Sequence, residues 1–375
     1  MGLKVNLTSP NFDCMLELEH KLTIIRGDSG EGKTTMVRKF EDYQSPNIQK
    51  FVDDDRVVLE MTPASFKAIV RKAEIFYKQN GLELPQRDSS ENSKKRSEML
   101  LDYWEKHDVM YEHVVIFVDD RDFATSLDFA CLFNSDKTNY YVIITREKLA
   151  SLGYSVDASY YFIKNGKSHY IVKEADYVEF ESSNNGLKIV EGAGSDFGFF
   201  NNLYKSNNVI SLAGRDNFEF CVRNFNNTTL NLFVDKCVFG DNYLDVINYC
   251  RDNNIKIQFA KGYESFEQFL LETNFFRYKN LQDYVKEHLL EFKSEEVLYT
   301  ALVNAATNGT PMAYDKTLTK FKKCYIDDCC CYGYKKANEC IFFKKPIKSK
   351  VEWAIKGTKF EYLLEDVNLM NGGKV

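Results

Sequence analysis

Gly27-Asp28-Ser29-Gly30-Glu31-Gly32-Lys33-Thr34-Thr35 is a G-x-x-x-x-G-K-[ST] segment, entered by the apolar run Leu22-Thr23-Ile24-Ile25 and left through Met36-Val37-Arg38-Lys39-Phe40. The run has strand character and the exit can start a helix, so the local order is strand, loop, helix. Glycines at these positions let backbone N–H groups turn inward around phosphate oxygens. The Lys33 ammonium can then reach the β and γ phosphates, and the Thr34 hydroxyl can ligate Mg²⁺. An ordinary glycine-rich turn requires neither the lysine nor these flanks. Residues Gly27 to Thr35 are therefore expected to bind a nucleoside triphosphate with Mg²⁺, ATP before GTP.

The chain has 375 residues, 44% of them apolar, which suggests two or three domains with proper cores. A net charge of -6 provides no global basic field, so contact with nucleic acid or an anionic membrane would need a local patch. A homo-oligomer or a partner protein is the more natural associate. No apolar run approaches the ~18 residues of a membrane span, and Met1-Gly2-Leu3-Lys4 lacks a signal peptide's basic and apolar regions. The chain reads as cytoplasmic, and its ten cysteines accordingly as thiols or metal ligands rather than a disulfide frame.

Alternation predicts strands over Leu3–Leu7 and Cys14–Leu18 around a Ser9-Pro10-Asn11 turn. Helical spacing covers 64–79 and 96–107. The polar stretch Gln86 to Lys95 between them reads as a solvated loop with a basic tip at Lys94-Lys95-Arg96. Val114–Val118 and Tyr140–Ile144 are short buried strands, and 160–163 with 169–172 form a hairpin that closes the first domain near residue 182. A second βα alternation follows, with strands at 187–190, 209–212, 230–234 and 255–259 and helices near 196–205, 216–224 and 241–252. The expected fold class is thus α/β throughout: a nucleotide domain over 1–182, a second α/β domain over 187–275, and a helical, Cys-rich region over 276–375.

Asp119 ends its strand where a Mg²⁺-ordering carboxylate belongs, Asp120 where a water-activating acid is useful, and Arg146 where a cation can sense the γ-phosphate. The plainer alternatives are solvent-facing strand-end carboxylates and a surface ion pair. With Met15-Leu16-Glu17-Leu18, Ile24-Ile25-Arg26-Gly27 and Ile143-Ile144-Thr145-Arg146, the first domain resembles P-loop ATPases of the ABC and SMC type, while Val118-Asp119-Asp120 with Ile144-Thr145-Arg146 is similar to STAND-type switch ATPases as well. That resemblance implies ATP hydrolysis with Lys33, Asp119, Asp120 and Arg146 as catalytic residues. No Leu-Ser-Gly-Gly signature lies between Lys33 and Phe117.

Lys188-Ile189-Val190-Glu191-Gly192 with Asp196, then Leu232-Phe233-Val234-Asp235, resembles a TOPRIM domain. An ATPase followed by such a module resembles the overcoming-lysogenization-defect (OLD) family and related phage-defence proteins. The resemblance implies a divalent-metal site at Glu191 and Asp235 for phosphodiester chemistry. The usual Asp-x-Asp is here Asp235-Lys236-Cys237, so one ligand is lost, and Glu264 or Glu267 could replace it. Cys324, Cys329, Cys330, Cys331 and Cys340 are irregularly spaced for zinc. Lys344, Lys345, Lys348 and Lys350 with Trp353 form the best local basic patch.

Overall fold

The computed structural model describes residues 2–27, 30, 32–41, 49–52, 55–107, 111–119, 124–145, 149, 152, 158–173, 179–181, 186–204, 208–235, 243–307 and 350–365. The chain forms two compact units, Met1–Glu174 with Lys286–Glu295 and Ala175–Val285 with Glu296–Val375. The division falls before the boundary expected near residue 182, and the short strand Glu179–Phe180 pairs with the sheet of the second unit.

The first unit is built on a sheet whose strands, in chain order, are β1 (Leu3–Ser9), β2 (Phe12–Leu18), β3 (Leu22–Arg26), β4 (Gln49–Val52), β5 (Val57–Glu60), β6 (Val114–Val118), β7 (Tyr140–Ile144), β8 (Ser159–Asn165) and β9 (Ser168–Lys173). Across the sheet they run β4-β1-β2-β9-β8-β3-β7-β6-β5. The strands from β8 to β5 are parallel, whereas β1 pairs antiparallel with β2 and β4, and β9 antiparallel with β8. β3, β6 and β7 are buried along their whole described length apart from half-buried Tyr140, as continuous apolar runs covered on both faces must be.

Alternate residues of these runs feed two cores. Ile24, Ile116, Val118, Tyr141 and Ile143 pack with Phe66, Trp104, Phe129 and Phe133 from helices α2 (Pro63–Gln79), α3 (Ser90–Lys106) and α4 (Leu127–Ser135). On the other face, Ile25, Val115, Phe117, Val142 and Ile144 pack with Met36, Val37 and Phe40 of α1 (Lys33–Glu41) and with the inward residues of β1 and β2. The hairpins and the strands at 114–118 and 140–144 lie where the sequence pattern puts them.

Two features differ from the pattern. β4 and β5 were not legible, being four residues each and mixed in polarity. The expected loop at Gln86–Lys95 is helical from Ser90, because the Ser89 hydroxyl accepts the Asn92 N–H at 3.1 Å and caps a first turn too polar to show an apolar face. Arg96 is accordingly not part of an exposed tip: its side chain is 11% exposed and bound to Asp128.

The second unit carries an all-parallel sheet of β10 (Glu179–Phe180), β11 (Leu187–Val190), β12 (Val209–Ser211), β13 (Thr229–Phe233) and β14 (Lys256–Ala260), in the order β10-β14-β13-β11-β12. Helix α5 (Ser195–Tyr204) connects β11 to β12, α6 (Phe218–Arg223) connects β12 to β13, and α7 (Tyr243–Asp252) connects β13 to β14. Helices α8 (Phe266–Glu272), α9 (Leu281–His288), α10 (Glu295–Thr307) and α11 (Lys350–Ile355) follow in the chain, with Lys286–Glu295 counted in the first unit. The cysteine cluster at 324–340 and Lys344, Lys345 and Lys348 lie outside the described residues. Lys350 is 1% exposed and so cannot belong to a solvated basic face. The described cysteines Cys14, Cys131, Cys221 and Cys250 are free thiols, and burial pushes Cys14 up to about 12.

Candidate functional site

β3, β7 and β6 end at one edge of the first sheet. Register pairs Ile25 with Ile144 and Ile143 with Val118, so Asp119 stands level with Ile144 and Ile25. With β7 interposed, Asp119 lies two strand spacings from β3, about 10 Å. Gly27 leaves β3 at φ +143°, and Gly30 and Gly32 have φ +93° and +94°, conformations that L side chains rarely adopt. α1 begins directly after the loop, with the Met36 N–H donating to the Gly32 carbonyl at 2.9 Å. The orphan N–H groups and positive dipole end of its first turn are thus set at the loop.

Lys33 Nζ donates to the Gly27 carbonyl at 2.8 Å, turning the ammonium back across the loop. Thr34 and Thr35 are exposed at the helix start, whereas Met36, Val37 and Phe40 turn into the core. Phe40 stacks on Phe117 of β6 with ring centroids 5.1 Å apart, which ties the loop's helix to the strand that carries Asp119. The structure therefore brings Gly27, Gly30, Gly32, Lys33, Thr34, Thr35 and Asp119 to one sheet edge. Asp28, Ser29, Glu31, Asp120 and Arg146 lie outside the described residues.

Three residues that no motif singles out support the loop. Phe12, His169 and Phe162 stack, with centroids 4.0 Å apart between the first pair and 5.4 Å between the second. A Cβ on Gly32 would lie 3.2 Å from Phe12 Cε2 and 3.3 Å from His169 Nε2; one on Gly27 would lie 3.0 Å from the Phe162 carbonyl oxygen. Their only sequence signal is an inward position on alternating strands, which does not distinguish them from other core residues.

In the second unit the chain passes from β11 out to β12 and returns to β13 on the other side of β11. That reversal is a topological switch point, where the carboxyl ends of two adjacent strands diverge into a crevice. Glu191 and Asp235 stand there, and the Glu191 carboxylate accepts the Asp235 backbone N–H at 3.3 Å. Asp196, at the start of α5, accepts the Gly192 N–H at 2.5 Å and is 8% exposed. Burial raises its carboxyl to about 6, opposed by backbone N–H bonds and assisted by repulsion from Glu267. Glu267 is 2% exposed, in the first turn of α8 after the Ser265 cap. Tyr263 is wholly buried beside these acids: burial first, then Asp235, Asp196, Glu267 and Glu191, raise its phenol well above the ordinary value.

The expected metal residues thus fall into two sets. Thr34 and Asp119 lie at one edge of the first sheet and offer hard oxygen atoms, the ligand type that Mg²⁺ takes. Glu191 and Asp235 are brought together, but among the described residues no group of three or more His, Cys, Asp or Glu is arranged to hold a metal ion. Cys237 lies outside the described residues. Of the two candidates to rebuild the crevice, Glu267 is the one that acts on Asp196 and Tyr263.

No protein-family model matches the chain, and no curated protein matches it. Among solved structures, a chain in "Model of ribosome-bound archaeal Pelota and ABCE1" is similar over 45% of this chain at 12% identity, with a TM-score of 0.25. The match spans 33% of that chain's length, and a likeness this slight carries no argument about function. The fold is mixed α/β with a large, mostly parallel sheet, and no helix among the described residues is long and apolar enough to cross a membrane.

Proposed function

We propose that the first unit binds ATP with Mg²⁺ at Gly27 to Thr35 and hydrolyses it, and that the chain works as a nucleotide-driven switch. The observation that carries this reading is the Lys33 ammonium folded over a glycine-cradled loop at a helix N-terminus, on the same sheet edge as Asp119. In this reading the loop N–H groups and Lys33 hold phosphate oxygens, while Thr34 and Asp119 hold Mg²⁺, which neutralises charge on the transferred group. Asp120 positions or deprotonates the attacking water, and Arg146 stabilises charge at the γ-phosphate. The switch acts through the TOPRIM-like second unit on a partner protein or a further copy of the chain, in phage defence or mobile-element biology as the OLD-like resemblance implies.

The test is titration calorimetry and phosphate release with Mg·ATP and Mg·GTP for the wild type, Lys33→Ala, Asp119→Asn and Asp120→Asn. Lys33→Ala is expected to weaken binding at least about tenfold. Asp119→Asn should depress Mg²⁺-dependent hydrolysis, and Asp120→Asn should spare binding while slowing turnover. Affinity and turnover unchanged in Lys33→Ala would defeat the assignment.

A second reading, metal-dependent cleavage of nucleic acid by the second unit, is favoured by one observation: Glu267 is buried, and its charge acts on Asp196 and, with those of Glu191 and Asp235, on Tyr263.

A further inference from the structure

We infer that His169 is a positioning residue for the phosphate loop, acting through Gly32 on the affinity for a magnesium-bound nucleoside triphosphate; this rests on the nucleotide-binding reading above. The loop is seated at both ends on one aromatic stack. Gly27 rests against Phe162 of β8, and Gly32 against Phe12 of β2 and His169 of β9, so closely that a Cβ at either glycine would press on the stack at 3.0–3.3 Å. Two phenylalanines and a histidine, 4%, 2% and 5% exposed, make this platform.

Packing alone does not require a histidine at its centre. The polar edge of the ring has a specific use: Nδ1 lies 3.0 Å from the Lys167 carbonyl oxygen and 3.3 Å from that of Asp13. Both neighbours are acceptors, so Nδ1 carries the proton, and the tautomer follows from the bonding. The Asp13 N–H also donates to the Lys167 carbonyl at 2.9 Å, and the Lys167 ammonium meets the Asp13 carboxylate at 3.3 Å, so the anchor is itself fixed. A ring held this way cannot rotate without abandoning those carbonyls, and its Nε2 edge is thereby pinned against Gly32. Gly32 in turn accepts the first hydrogen bond of α1 and precedes Lys33, so its placement sets both the loop N–H groups and the ammonium.

His169 reaches the phosphates only through Gly32, so its loss should weaken binding and leave the chemical step alone. The variants are His169→Phe, which keeps the stack and removes the donor, and His169→Asn, which keeps an N–H donor and removes the ring. Each is compared with the wild type and Lys33→Ala by Mg·ATP calorimetry, steady-state turnover and melting temperature. For His169→Phe, Kd and KM are expected to rise about tenfold, the scale of one hydrogen bond, with kcat within about twofold of wild type. His169→Asn is expected to bind within about threefold of wild type. A merely structural residue would lower the melting temperature without this split of KM from kcat. Wild-type affinity in His169→Phe overturns the inference. Should that variant not fold, a His169→Asn protein that binds ten times more weakly than wild type overturns it as well. A wild type that binds no nucleotide would instead remove the nucleotide-binding reading, which its own arm of the experiment reports.

Discussion

Arg96 and Asp128 form a two-pronged ion pair, with the guanidinium Nη2 2.9 Å from Oδ2 and Nε 3.1 Å from Oδ1. Arg87 reaches the same carboxylate at 2.7 Å. Asp128 lies in the first turn of α4, the next described helix after the strand bearing Asp119, and both arginines lie in or just before α3. One carboxylate therefore holds the helical layer to the segment that follows the acidic strand.

Replacing Asp128 with Ala leaves Arg87 and Arg96 with only the more distant Glu74 carboxylate, 4.0 Å from Arg96, as counter-charge. Solvent reaches this cluster in part, so the loss is expected at about 1–3 kcal/mol, below that of a fully buried pair. Burial works to raise the Asp128 carboxyl, but hydrogen bonds and charge from Arg96 and Arg87 outweigh it and hold it below the ordinary value. A depressed folded value means stability present above the unfolded carboxylate range and lost as pH falls through the folded value. Chemical denaturation should show Asp128→Ala to be weaker than wild type at pH 7, with the gap closing toward pH 3. A gap that widens on acidification would contradict the argument.

Gly30 and Gly32 share a left-handed backbone but not a neighbourhood. A Cβ on Gly30 meets nothing within 4 Å, whereas one on Gly32 meets Phe12 and His169. Gly30→Ala should therefore cost only backbone strain, about 1–2 kcal/mol. Gly32→Ala adds displacement of the stack, about 1–3 kcal/mol more. Melting temperatures should rank wild type, Gly30→Ala, Gly32→Ala, and equal losses in the two variants would show that the seat is looser than described.

The parts of this fold legible in the sequence are those fixed by short-range pattern. Val114–Val118 and Tyr140–Ile144 are uninterrupted apolar runs because both sheet faces are covered, and the loop between β3 and α1 announces itself by spacing. Glu191 and Asp235 were legible as strand ends, since apolar runs stop at them. What sequence does not carry is adjacency between distant segments. Phe12, Phe162 and His169 meet only because β9 inserts between β2 and β8. β5 counts as a strand through its parallel pairing with β6 rather than through its own composition. The first turn of α3 was hidden because a capped, solvent-facing turn has no apolar residue to betray it.

Asp196 gives the second unit a pH dependence of the opposite sign to Asp128. Its folded value, raised mainly by burial to about 6, means that the folded state holds the proton more tightly than the unfolded chain does. Stability from this group is full below the unfolded value near 4 and declines as pH rises through about 6, by up to about 3 kcal/mol. Asp196→Asn removes the ionisation, so the variant should gain on the wild type between pH 4.5 and 7.5 in paired melting curves. The same gain or loss at both pH values would rule out Asp196 as the source.

The crevice between β11 and β13 decides between partner binding and cutting. Glu191 and Asp235 are joined through the Asp235 N–H, and the charges of both, with those of Glu267 and Asp196, act on buried Tyr263, yet the described residues do not close a three-ligand group. At position 237 the sequence offers a thiol where the TOPRIM resemblance implies a carboxylate, and Mg²⁺ prefers hard oxygen ligands. The wild type should therefore nick supercoiled plasmid weakly or not at all with Mg²⁺. Cys237→Asp restores an oxygen donor two residues beyond Asp235 and should gain cleavage, which Glu191→Gln in the same background should abolish. Mn²⁺ tolerates softer ligands and is the more sensitive probe for the unmodified chain. Robust wild-type cleavage that vanishes in Glu191→Gln would replace partner binding with nuclease chemistry, and Glu267→Gln would then show whether the buried glutamate is the ligand that substitutes for Cys237.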